Sequence, residues 1–419
     1  MEKIRIKGGR RLEGAIPIHG AKNSALPLLA ATLLVPGVTE LTGCPRLSDV
    51  TASLAILRHL GCRVTQQEDG VTVDATAITG WAVPDRLMRE MRSSIVFLGA
   101  LVARCGQATL TYPGGCELGP RPIDLHLSAL RRLGVEIEEE GGLLRCRRNG
   151  PLRGTEITLA FPSVGATENV LLAAVTATGT TVLRGAAREP EIQDLCTFLN
   201  RCGGRITGGD SGTLVVEGVP HLYGTCHRVM PDRIEAATYL AAAAATGGDV
   251  TLHNCPALPV SPVFEPLECA GCVLTAKGDI LRIQAPPRLG RMGLIRTLPY
   301  PGFPTDGAAP LLAAACVGQG TSLFIETIFA SRYRYVDELT RMGAHIRVDG
   351  RVAVVEGVDV LRGATVCCTD LRGGAALLVA ALTATDTTEI TEISHLDRGY
   401  EDPVGCLTAL GACACRVKE

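Results

Sequence analysis

The 419 residues carry 41 basic and 43 acidic side chains, a formal net charge of −2. That balance excludes a nucleic-acid protein held by a broad basic surface, and a disordered acidic chain. At roughly 100–200 residues per domain the length predicts two domains, and 4% aromatic content leaves their cores to Ala, Val, Leu and Ile.

The chain opens with a lone alternating strand, Glu2 to Lys7, and no apolar stretch that would read as a signal peptide. No uninterrupted run of ~18 apolar residues exists, so no membrane span is expected. The 17 cysteines are scattered, many in apolar runs (Cys62, Cys202, Cys316, Cys413), as expected of reduced, buried thiols in a cytoplasmic protein. The Cys269-x-x-Cys272 pair has no second pair to complete a zinc site and reads as core packing.

Six stretches then begin with small or polar residues and continue as Ala/Leu-rich helices, from Ser24, Ser93, Ala166, Arg233, Gly307 and Gly373. Each leads into a short β-branched run and a second helical segment that ends at a glycine: Gly61, Gly134, Gly203, Gly271, Gly343 and Gly411. Those glycines recur about every 70 residues, a fixed repeat period. Alternating strands joined by Gly-Gly or Asp-Gly follow, a hairpin signal. Leu-x-Gly at Leu12, Leu152, Leu222 and Leu361 marks the start of further units. The unit therefore reads strand, helix, strand, helix, strand, strand.

The sixth unit is one strand short, and the N-terminal strand completes it. The predicted domains are residues 22–229, and residues 1–21 with 230–419, each of three repeated units. Small-residue helices pack closely, so they are expected inside, with the sheets outside.

Residues just before the inner helices differ in character: Lys22-Asn23, Arg92, Ser163-Val164-Gly165, Asp232-Arg233, Asp306 and Asp370 to Arg372. A helix N-terminus carries exposed N–H groups and partial positive charge. Asp232, Asp306 and Asp370 are natural caps there. Lys22, Arg92 and Arg372 are cations where the dipole disfavours them, which makes sense if an anion binds among them. The segment from Tyr112 to His126 holds three glycines and three prolines, with Cys116 and Arg121 among them, and suits a functional loop at 112–121. Arg121 would favour a Cys116 thiolate. His126 reads as facing helix neighbours, and no nucleophile elbow or Walker loop occurs.

GAKNSALPLLAA, MRSSIVFLGALVAR, PGGCELGPRPIDLHLSAL, FPSVGATENVLLAA, PGFPTDGAAPLLAA, ETIFASRYRYVDELTRMGAH, TDLRGGAALLVAAL and HLDRGYED together resemble the enolpyruvyl transferase family. The Cys-containing loop points to the branch whose acceptor is UDP-N-acetylglucosamine, because the branch acting on 3-phosphoshikimate lacks it. The resemblance implies an α/β fold of two similar inside-out α/β barrel domains, each of three repeated units with inner helices and outer sheets, closing on a cleft. It implies transfer of enolpyruvyl from phosphoenolpyruvate to the sugar 3′-hydroxyl, with phosphate released by addition and elimination, as the first committed step of peptidoglycan synthesis.

By the same resemblance Lys22, Asn23, Arg121, Arg332, Arg372 and Arg398 would hold phosphoenolpyruvate. Asn23, Arg92, Arg121, Pro122, Ile123, Asp124, Leu125, Ser163, Val164, Gly165, Asp306 and Ile328 would contact the sugar nucleotide, with Asp370 in support. Cys116, Asp306 and Lys22 would be catalytic. Cys116 would protonate the methylene carbon, form a covalent adduct and be the target of the epoxide antibiotic fosfomycin, while Asp306 would take the sugar hydroxyl proton. No cofactor and no metal are expected, and the partners are the two small-molecule substrates, acting on a monomer with no nucleic acid and no membrane. A binding-only clamp would spread its cations along one face rather than bunch them at helix starts. A non-catalytic paralogue would be expected to lose Cys116, Lys22 or Asp306.

Overall fold

The computed structural model describes residues 2–114, 122–209 and 211–418. They form two compact units, one of residues 2–19 and 231–418, the other of residues 20–114 and 122–230. Six helices rich in Ala and Leu form the centres. In the second unit these are α1 (Lys22–Ala31), α2 (Phe97–Cys105) and α3 (Val164–Ala174). In the first they are α4 (Arg233–Ala245), α5 (Thr305–Ala315) and α6 (Leu371–Thr383).

These helices are buried on nearly all faces, which an ordinary amphipathic helix is not. In the first unit α4, α5 and α6 each pack on the other two, and in the second α2 packs on both α1 and α3. Small side chains permit that approach. A Cβ on Gly99 of α2 would lie 2.4 Å from the Asn169 carbonyl oxygen of α3, so the helices meet backbone to backbone there.

Sheets surround the helices. Five have four strands and one has three. The sheet of Glu156–Thr158, Thr180–Arg184, Thr213–Glu217 and Arg205–Gly208 shows the common plan. The strand before the buried helix runs parallel to the one after it, with Leu183 opposite Ile157, and an antiparallel hairpin completes the sheet, with Val182 opposite Val215. Alternate residues face inward, as in the buried–exposed alternation of Thr213–Glu217. The three-stranded sheet departs from the plan because its first strand is reduced to a single bridge, Ala82 to Thr109. The N-terminal strand Glu2–Lys7 lies between Thr387–Thr391 and Cys413–Lys418, antiparallel to both.

The repeat read from sequence is cut where the chain passes between units. Glu13–Pro17 precedes α1 in sequence, yet it pairs with Asp249–His253 of the first unit. Cys226–Arg228 precedes α4, yet it pairs with Val38–Thr42 of the second. No helix among the described residues is long and apolar enough to cross a membrane.

Candidate active site

In the first unit all three central helices begin beside an aspartate. Asp232 caps α4, accepting from the backbone N–H of Ile234 at 2.8 Å and of Glu235 at 3.0 Å. Asp370 caps α6 through Arg372 and Gly373, both at 3.0 Å. Asp306 does not cap α5, contrary to the expectation from sequence. Pro304, extended at φ −71° and ψ 129°, takes the cap position, so the helix starts at Thr305 and Asp306 falls inside its first turn.

Its carboxylate turns instead to two guanidinium groups. Oδ1 accepts from Arg332 Nη2 at 2.8 Å and Oδ2 from Arg372 Nη2 at 3.0 Å. Arg332 is 1% exposed, and its Nη2 also donates to the Thr305 carbonyl at 2.9 Å. The remaining Arg332 donors, Nε and Nη1, are buried and make no hydrogen bond to any described residue; Arg372 Nε is in the same state. Arg372 Nη1 donates to the Tyr400 hydroxyl at 3.2 Å, and that hydroxyl meets Thr238 Oγ1 of α4 at 2.8 Å. Burial alone would lower the Arg372 pKa, but the charge of Asp306, with Tyr400 and Asp232, outweighs it and drives it upward.

Glu326, which the sequence did not single out, organises this group. Its Oε1 accepts from the N–H of Ile328 at 2.7 Å and of Phe329 at 3.0 Å, and its Oε2 from Thr305 Oγ1 at 2.8 Å. One buried carboxylate thus fixes both the turn that carries Ile328 and Arg332 and the start of α5. Arg398 ends the 3₁₀ turn Ile393–Arg398 of the same unit, half-buried.

In the second unit Lys22 is the first residue of α1, and its Nζ pairs with Asp49 Oδ2 at 2.7 Å. Asp49 is buried, and its charge offsets the helix dipole that disfavours a cation at this place. Asn23 is half-buried beside it. The next residue, Ser24, donates to Asp194, whose other oxygen accepts from His227 Nε2 at 2.9 Å. Arg201 can only donate to His227 Nδ1, at 3.3 Å, so the proton sits on Nε2.

A second group forms at the start of α3. Ser163 caps it, accepting from Ala166 N at 3.4 Å. Gly165 lies against the His126 ring, where an added Cβ would come within 2.8 Å of Cε1. Asn169 Nδ2 donates to His126 Nδ1 at 2.9 Å and its Oδ1 accepts from Gly99 N at 2.7 Å. Burial first, then the charge of Arg92, pulls the His126 pKa down to about 4, so the ring is neutral. Arg92 opens the 3₁₀ turn Arg92–Val96 and donates to the Pro113 carbonyl at 3.4 Å. Ile123 is buried, Leu125 half-buried, and Pro122 and Asp124 exposed at the start of the helix Asp124–Arg132. The structure therefore sets the neutral imidazole of His126 against Gly165 and Asn169, with the charges of Arg92 and Asp124 acting on it.

Glu168 of α3 is a second residue that the sequence did not single out. Burial, then the neighbouring Glu191 and Glu189, raises its pKa to about 8, so it is a carboxyl held neutral at pH 7. The available signal is a lone acid inside a buried helix.

Cys116 and Arg121, with most of the predicted loop at 112–121, lie outside the described residues. The expectation that the other cysteines are buried needs correction. Cys226, Cys269, Cys413 and Cys415 are exposed. Cys413 and Cys415 lie on a sheet-edge strand, where alternation in sequence does not guarantee a covered face.

Residues 6–406 match the family of EPSP synthase (3-phosphoshikimate 1-carboxyvinyltransferase). UDP-N-acetylglucosamine 1-carboxyvinyltransferase 2 of Caldanaerobacter subterraneus subsp. tengcongensis is 49% identical over 417 residues, covering 100% of both chains. UDP-N-acetylglucosamine 1-carboxyvinyltransferase 1 of Symbiobacterium thermophilum is 48% identical, covering 99% of this chain and 95% of its own. The solved enolpyruvyl transferase NikO of Streptomyces tendae superposes with a TM-score of 0.88 at 25% identity, covering 100% of this chain and 99% of its own. The chain therefore belongs to the enolpyruvyl transferase family and, within it, to the UDP-N-acetylglucosamine 1-carboxyvinyltransferases.

Proposed function

We propose that this protein transfers enolpyruvyl from phosphoenolpyruvate to the 3′-hydroxyl of UDP-N-acetylglucosamine, releasing phosphate in the first committed step of peptidoglycan synthesis, as a monomer in the cytoplasm. Its domains are residues 22–229, and residues 1–21 with 230–419, a division supported by the two compact units, which part at residues 19–20 and 230–231. The observation that carries the reading is the pair of buried guanidinium groups beside Asp306 with donors that meet no described residue. A buried N–H without an acceptor costs about 1–3 kcal/mol, and a carboxylate or phosphate oxygen is the ligand that satisfies it best.

In the proposed reaction the sugar hydroxyl oxygen bonds to C2 of phosphoenolpyruvate and its proton passes to Asp306. C3 takes a proton from Cys116, giving a tetrahedral ketal. Loss of a C3 proton to the Cys116 thiolate, with phosphate leaving on the proton held by Asp306, then restores the double bond on the sugar ether and both residues. Lys22, Arg121 and Arg398 hold the phosphate and carboxylate, and Arg332 and Arg372 extend the cationic wall. Asn23, Arg92, residues 121–125, Ser163 to Gly165 and Ile328 receive the sugar nucleotide, and Asp370 keeps Arg372 in place through its cap.

The test is phosphate release from phosphoenolpyruvate, expected only when UDP-N-acetylglucosamine is present. Release with 3-phosphoshikimate in its place, and none with the sugar nucleotide, would overturn the reading.

A further inference from the structure

The sequence spacing shows no metal-ligand cluster, yet the fold assembles one from residues far apart. His19 ends the N-terminal segment of the first unit, Glu235 lies in the first turn of α4, and Cys406 sits on the helix Pro403–Ala409. A ring nitrogen, a carboxylate oxygen and the sulfur of these residues all lie within 4.8 Å of one another. We propose that His19, Glu235 and Cys406 form a binding site for one thiophilic divalent cation of the Zn²⁺ class, separate from the transfer chemistry.

The donor set argues for that class. Nitrogen, oxygen and sulfur together suit zinc or cobalt, whereas magnesium and calcium take oxygen. Zinc holds such ligands at about 2.0–2.3 Å, so the three side chains must draw in around the ion on binding. Three protein ligands leave a fourth position for water.

The site is also built and oriented. Glu235 and Cys406 are buried and His19 is half-buried, which leaves access on the imidazole side. Glu235 Oε1 meets His19 Nδ1 at 2.8 Å, while Oε2 accepts from the His19 backbone N–H at 2.8 Å. Binding at one oxygen therefore leaves the other holding the backbone. The negative charges of Glu401 and Asp402 act on His19 as well and favour a cation there. Burial pushes the Cys406 thiol up to about 11, so the ion must displace its proton.

The experiment is equilibrium dialysis of the full-length protein against Zn²⁺, paired with Co²⁺ absorption. One tightly bound equivalent is expected, with a thiolate-to-cobalt charge-transfer band. His19→Gln and Cys406→Ser should each lose that equivalent and the band, while the Cys269→Ser/Cys272→Ser double variant keeps both. Turnover in metal-free buffer reports whether each variant is folded, and His19→Gln carries the test should Cys406→Ser not fold. A wild-type protein that binds no equivalent, or a folded His19→Gln that retains the equivalent and the band, would overturn the site.

Discussion

The two units place different chemistry at the starts of helices built from the same small residues. In the first, the start of α5 collects charge: Asp306 between Arg332 and Arg372, with guanidinium donors left over. In the second, the start of α3 centres on a neutral ring: His126, against Gly165 and held by Asn169, beside the Ser163 cap, with Arg92 the nearby cation. The difference comes from what faces each helix start. Arg332 arrives on a turn fixed by Glu326, whereas His126 arrives on a helix and is desolvated against a glycine. Charged groups without full pairing suit small anions, and neutral donors and acceptors suit a sugar amide or a base.

The strongest test of this contrast is Asp306→Asn. The substitution keeps one acceptor oxygen but points an N–H at a guanidinium. Turnover should fall on the order of 10²–10⁴, as for loss of a general base. Stability should fall too, because one partner of a buried pair has gone. Turnover, melting temperature and nucleotide affinity are to be measured together. Near-normal turnover would leave Asp306 as a structural anchor for the two arginines.

His126 tests the neutral side. Its folded pKa of about 4 lies below the ordinary value of 6.5, so the unfolded chain binds more protons between those two pH values. Stability from this group is full above about pH 6.5 and lost as pH falls toward 4, by at most about 3 kcal/mol. Urea denaturation of wild type and His126→Gln across that window checks it. Equal acid slopes in the two proteins would show that the histidine is not desolvated.

Much of this was legible in the sequence. The six Ala/Leu-rich helices, the hairpins and the glycine stops all announce themselves by local pattern. The sheet that Glu13–Pro17 joins was not, because that strand reads the same whichever partner it takes. At the site, Lys22, Arg92, Asp306 and Arg372 stood out as odd residues at helix starts. The partners Asp49 of Lys22 and Tyr400 of Arg372 did not, nor did Glu326 and Asn169, which hold the neighbouring turn and His126, because a partner is defined by distance and not by spacing. Asp306 itself was misplaced by a single turn position, since the sequence marks a helix start only to within a residue or two.

Arg332→Lys sharpens the charged side further. A lysine is a single point charge and cannot serve Asp306, the Thr305 carbonyl and a substrate oxygen from one plane. Loss of about one charged hydrogen bond, 1.5–3 kcal/mol, predicts a fall of roughly 10–100-fold in kcat/KM for phosphoenolpyruvate. Sugar-nucleotide affinity should hardly change. An equal loss for both substrates would mean that the arginine shapes the unit as a whole and not an anion site.

The smallest effect separates a capping aspartate from a chemical one. Asp370 accepts two backbone N–H groups at the start of α6, as Asp232 does for α4. Removing such a cap costs typically ~1 kcal/mol, and Asn replaces Asp with little loss. Asp370→Ala should therefore lower unfolding free energy by about that amount, and Asp370→Asn by only a few tenths of a kcal/mol. Asp306 should behave in the opposite way, because Asn supplies neither the charge its arginines require nor a base. Denaturant curves for the Ala and Asn variants at both positions read the contrast directly. If Asn rescues Asp306 as well as it rescues Asp370, the two aspartates do the same work, and the one-residue offset between cap and first turn carries no chemical meaning.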